Sequence, residues 1–200
     1  MTVRTERTGW PVLRTPRWMW AGAAVLVAGL VVVAIPHHPS TAQRAADLRD
    51  FVTSVNADIE SCAGGINDST TALRAVEAGA SHDVATAVKI ANDGAANCSP
   101  GNSMPMGDLV QYQVHESLAQ FNLQATVNDL VTWAFPLAQN VQVDIGRLAA
   151  ATTPAEEAAD TAALDKDKRA LDAQRAKIDK AIAAASKALS ANVAPPNLPG

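Results

Sequence analysis

The chain has 200 residues, 48% of them hydrophobic but only 4% aromatic, and its 16 Lys and Arg against 20 Asp and Glu give a net charge of −4. Much of the apolar content is alanine, the strongest helix former, so the composition favours helices over strands. Arg4, Arg7, Arg14 and Arg17 face one acid, Glu6, ahead of residue 18, which leaves the remainder acidic and without the basic stripe that nucleic acid requires.

Residues 1–17 read as a short polar tail. Residues 18–35, WMWAGAAVLVAGLVVVAI, carry no charge, and as a helix they span about 27 Å, near the thickness of a bilayer's hydrocarbon core. Trp18 and Trp20 stand where indole rings favour the membrane interface, and Pro36 closes the far end. This predicts a transmembrane helix over 18–36 whose partner is the lipid bilayer. Four arginines before the span outweigh Arg44 and Arg49 after it, which places the N-terminus in the cytoplasm and the rest outside, a single-pass topology at the cell membrane. The alternative is a leader cleaved near Ser40-Thr41-Ala42, giving a secreted form of the same domain. His37-His38 read as a polar linker, since two adjacent imidazoles cannot close a metal site.

An extracytoplasmic region follows over 37–192. Leu48, Val52, Val55, Ile59 and Cys62 recur at the spacing of a heptad seam, predicting a helix from Ser40 that Gly64-Gly65 terminate. A shorter helix is expected over 66–78, ended by Gly79. Another, capped by Ser81, is expected over 82–97 with Val84, Val88, Ala91, Ala95 and Cys98 inward. Both cysteines then fall at helix ends. In an oxidising compartment Cys62 and Cys98 are expected to form a disulfide closing a loop of about 37 residues, worth about 4 kcal/mol in the chain-entropy model.

Residues 99–107, SPGNSMPMG, read as a loop, and 108–114 as a short helical turn. A long helix is predicted over 115–150, kinked or broken at Pro136. Trp133 and Phe135 flank that point. With Tyr112 they are the candidates for a ligand site or an interface, against the plainer reading as core filling. Thr153-Pro154 with Glu156 and Glu157 signals a strong helix start, predicting a helix to Ala191 with Leu164, Leu171, Ile178, Ile182, Ala185 and Leu189 inward and a charged outer face. The tail 193–200, VAPPNLPG, is expected to be extended and mobile.

No nucleophile elbow, phosphate loop, dinucleotide fingerprint or zinc-protease motif is present in the sequence, so no catalytic residue, cofactor or metal is assigned and the chain is not expected to be an enzyme. Asn67-Asp68-Ser69 and Asn97-Cys98-Ser99 match the common glycosylation acceptor pattern, the second compromised by a bridged Cys98.

The combination of SCAGG (61–65), NCSP (97–100), YQVHESL (112–118) and LDAQRAKID (171–179) behind an N-terminal span resembles membrane-anchored, Ala-rich helical proteins of actinobacteria. The resemblance implies a cell-envelope location and no activity. The expected architecture is all-α: a single N-terminal transmembrane helix plus an exported antiparallel helical bundle of about five helices, the last two long and projecting as a hairpin. The expected role is a structural or protein-interaction module that binds another envelope protein or itself, with a ligand-binding sensor acting through a partner as the alternative.

Overall fold

The structure, a computed structural model, describes residues 39–80 and 83–199. The predicted tail, transmembrane span and His37-His38 lie outside the described residues, as does Ser81. Among the described residues every regular element is helical, and no helix is long and apolar enough to cross a membrane.

Helix α1 runs Thr41–Glu77, 37 residues, with the Ser40 hydroxyl accepting from the Gln43 N–H at its start. It passes straight through Gly64-Gly65, so the expected stop there, and the separate helix after it, are corrected. The reason lies in the seam. Beyond Cys62 the buried positions continue as Ile66, Ser69 and Leu73, the same heptad spacing without a break. Each glycine costs a helix about 1 kcal/mol relative to alanine. That cost is offset at Gly65, where another helix backbone lies in contact. The helix does end by Gly79, which takes a left-handed φ of 63°.

Helix α2 runs Val84–Asn97, capped by Asp83. Its buried face is Ala87, Ala91, Gly94 and Ala95, followed by Cys98, whereas Val84 is 37% exposed and Val88 half-buried. The face is rotated from the expected one because only its smallest side chains allow so close an approach to α1. Helix α3, Met104–Gln111, starts four residues earlier than expected, since Pro105 is tolerated in a first helical turn.

The helix predicted over 115–150, with its interruption at Pro136, is four pieces: a 3-10 turn Glu116–Phe121, α4 Leu123–Thr132, a π-helical stretch Trp133–Ala138 and α5 Gln139–Ala150. The first break is at Asn122, which is left-handed at φ 53°. There the Gln124 side chain folds back, accepting from the Val114 N–H and donating to the Tyr112 carbonyl, so the incoming chain is tied across the helix start. The second break is at the predicted proline. Phe135 adopts φ −135° and ψ 116° before a cis Pro136. A residue preceding proline is driven out of the helical region.

Helix α6 runs Pro154–Leu189, 36 residues, from a full capping box: Thr153 accepts from the Glu156 N–H and the Glu156 carboxylate from the Thr153 N–H. All six predicted seam residues are buried. The two long helices are therefore the first and last of the bundle, each about 55 Å, and the expected terminal hairpin is corrected.

Cross-links fix the path. Cys62 bonds Cys98, Phe51 packs on Tyr112 and Asp47 accepts from Ser117, so α2 and α3 descend alongside an ascending α1. Gln142 beside Ser69 and Gly65 shows α4–α5 ascending. Asp129 against Gln174 and Lys177, then Arg49 against Ala191, show α6 descending. The result is an up-down-up-down bundle whose two middle columns are segmented.

Candidate functional site: a cleft beside the carboxyl-terminal segment

The expectation that 193–200 is mobile is corrected for the described residues 193–199. After α6, Ser190 and Asn192 both take left-handed φ values, 50° and 49°, and turn the chain back along the bundle. Three hydrogen bonds follow. Arg49 Nη2 donates to the Ala191 carbonyl at 3.1 Å, the Val193 N–H to Ser186 Oγ at 2.8 Å, and the Asn197 N–H to Asn56 Oδ1 at 3.1 Å. Ala191, Pro196 and Leu198 are buried. The segment thus buries apolar side chains and has the N–H groups of Val193, Asn197 and Leu198 bonded, which is what a mobile tail lacks.

Beyond it lies a cleft of about 770 Å³. Asn56, Glu60, Gly64 and Asn67 line it from α1, Arg175 from α6, and Leu198 with Pro199 from the terminal segment. Arg175 Nε lies 3.6 Å from Asp179, one turn along its own helix. An added Cβ at Gly64 would meet no atom within 4 Å, so this glycine leaves the cleft wide. A second, smaller cavity of about 200 Å³ shares Asn67 and runs on past Thr70 and Arg74 toward Lys168.

The opposite side of α1 is closed. An added Cβ at Gly65 would stand 2.8 Å from the Gly94 Cα, and one at Gly94 would stand 1.8 Å from Gln142 Oε1. Gln142 is fully buried. Its Oε1 faces the Ser69 hydroxyl at 3.5 Å and its Nε2 donates to Cys98 Sγ at 3.0 Å. Cys62 and Cys98 form the expected disulfide, both fully buried with Sγ atoms 2.00 Å apart. Cys98 does follow the end of α2, but Cys62 lies inside α1, so the expected helix-end symmetry is corrected.

The three aromatic candidates serve separate places. Trp133 is fully buried in the core, its Nε1 without a hydrogen-bond partner. Phe135, two residues on, is 42% exposed. Tyr112 packs edge-on against Phe51 with ring centroids 5.7 Å apart, and lines a shallow hollow with Asp47, Asp50 and His115. At that hollow Ser117, His115 and Asp47 meet, but in the order of a helix cap. The Ser117 hydroxyl donates to Asp47, and the Ser117 N–H donates to His115 Nδ1 at 3.2 Å. The imidazole does not stand between serine and carboxylate, the order that would pass a proton along.

Four carboxyls are perturbed: hydrogen bonds at their own helix starts lower Asp83 and Glu156, and two others are raised. Burial, then the nearby Asp108, raises Asp58 above its ordinary range. Burial, then Asp167, raises Asp144, and Arg147 at 3.4 Å only partly opposes this. Among the described residues no group of His, Cys, Asp and Glu is arranged to hold a metal ion.

The cleft was not legible in the sequence, because it depends on the terminal segment returning to α1. The one hint was Asn56, Glu60, Ala63 and Asn67 at spacings of four, three and four, a polar-edged stripe beside the apolar seam. The chain matches no protein-family model, no curated protein and no solved structure.

Proposed function

We propose that this chain is an extracytoplasmic helical module, held at the cell membrane by residues 18–35 with its N-terminus inside, that works by binding another envelope protein. The observation that carries the binding role is the open cleft along α1, bounded by Arg175 of α6 and by Asn197, Leu198 and Pro199, in which polar and apolar side chains stand together. The buried Cys62–Cys98 bond supports an oxidising compartment. No catalytic role is assigned.

The test is photo-cross-linking in intact cells, with a photoreactive residue placed in turn at the exposed α6 positions Asp172, Ala176, Lys180 and Lys187. A discrete adduct with another protein is expected. An adduct at twice the chain's mass would replace that partner with a second copy. No adduct at any position would overturn the interaction role.

The second reading is a ligand-binding sensor acting through a partner. The cleft favours it by size, since small-molecule sites span about 300–1,000 Å³. Trp133 does not serve it directly, being sealed from solvent.

A further inference from the structure

We propose that the smaller cavity, the one running from Asn67 past Arg74 to Lys168, binds a phosphate group, either as the free ion or on a small molecule. The site is separate from the cleft beside the terminal segment and does not depend on the protein-binding reading.

The lining is what points to an anion. Asn67, Thr70 and Arg74 stand at i, i+3 and i+7 on one face of α1, and Lys168 comes from α6, which runs the other way. No Asp or Glu lines this cavity, although the chain as a whole carries more acids than bases. Among the described residues neither Arg74 nor Lys168 has an ion pair or a side-chain hydrogen bond, whereas Lys89, Arg147, Arg175 and Lys177 each pair with an aspartate. The Asn67 amide and the Thr70 hydroxyl are likewise unbonded there, so both are open donors. A cation in the last turn of α1 suits the helix dipole, but that accounts for Arg74 alone. Lys168 lies inside α6, half-buried, and Asp165 and Asp172, about one turn away on either side, form no ion pair with it.

The cavity's size and backing narrow the ligand. Ile66 and Val141 are buried and present apolar surface to it, so charges there are screened less than in open solvent. An anion between the two cations would offset their mutual repulsion. A volume of about 200 Å³ falls below the roughly 300–1,000 Å³ of sites for drug-sized molecules, so the occupant is small. A guanidinium fork, an ammonium, an amide and a hydroxyl donate from two helices, which suits the several oxygens of a phosphate better than the two of a carboxylate. On the neighbouring face of α1, Gly65 and Ser69 take the close contact with α2 and Gln142, so the cavity and that packing coexist.

The test is isothermal titration calorimetry on the purified full-length chain in a neutral detergent. The probes are inorganic phosphate, glycerol phosphate and, as the carboxylate control, acetate, all at one ionic strength. Saturable phosphate binding is expected, with Kd below about 1 mM. Arg74→Gln and Lys168→Gln should each weaken it about tenfold or more, since each removes a charge-assisted hydrogen bond. Lys180→Gln, the same change at an exposed α6 position outside the cavity, should leave it unaltered. Arg74 is exposed, so its variant is expected to keep its melting temperature; Lys168→Gln supplies an independent variant if it does not. Tighter binding of glycerol phosphate would support the site and identify a phosphorylated small molecule as its occupant, and equal or weaker binding would identify the free ion. The inference is overturned if neither phosphate binds saturably, if acetate binds as tightly, or if Lys180→Gln costs as much as the two cavity variants.

Discussion

At the level of Cys62 and Gln142, α1 meets α2 and α5 almost backbone to backbone. At the level of Asp47 and Asn56, the same helix meets a short helix, a 3-10 turn and an extended segment, all through side chains. The first region is held by glycines, a disulfide and one buried amide. The second is held by separate ties: Asp47 with Ser117, Arg49 with Ala191, Asn56 with Asn197. Close packing leaves no room for a ligand, whereas packing through side chains from irregular segments leaves gaps at its edges. The cleft lies next to the second kind.

The sharpest way to break this comparison is Gly94→Val. Its Cβ would overlap Gln142 Oε1 and press on the Gly65 Cα 3.1 Å away. A loss above about 4 kcal/mol is expected, read by urea denaturation; a folded, stable variant would show that the upper junction is slack. Next comes the double variant Cys62→Ala, Cys98→Ala. It should lose about 4 kcal/mol, since the bridge closes a 36-residue separation. Leu198→Ala should cost about 2 kcal/mol, the low end for a buried leucine, and only locally. Hydrogen exchange should rise over 191–199 and leave α2 and α5 protected; a global effect would mean the two regions are not separable.

Gly64→Ala carries the opposite sign to any change at its neighbour Gly65. With nothing within 4 Å of the new methyl group, it should gain about 0.5–1 kcal/mol from helix propensity alone. The smallest effect is expected at Asp144. Burial raises its carboxyl in the folded state, so the folded chain binds a proton more readily than the unfolded one. This penalty is full at neutral pH and is relieved as pH falls through the raised folded value. Asp144→Asn should therefore raise the melting temperature slightly at neutral pH, with the gain fading under acid; a gain that grew under acid would contradict the assignment.

What the sequence showed follows the same division. The α6 seam and its cap were readable because Thr153, Pro154 and Glu156 act on each other within one turn, and the bridge because two cysteines have one pairing. Gly65 was misread as a stop since its partner, Gly94, lies on another helix and only the three-dimensional register brings them together. Pro136 marked a break correctly, a local effect on Phe135. Asn122 did not stand out, because its left-handed turn depends on Gln124 reaching back to the preceding strand-like residues. The cleft depends on all of these at once.

The returning segment also governs how this chain can be handled. Pro199 lines the cleft, so a group attached at Pro199 would sit against it. A purification tag, fluorescent protein or display fusion attached there would shade the groove or pull Leu198 from its seat. The α2–α3 connection offers a safer attachment point: Gly101 and Asn102 are exposed, and an added Cβ at Gly101 meets nothing closer than 3.9 Å. Binding assays built on the two attachment points would then disagree, with the internal one reporting on the unobstructed molecule.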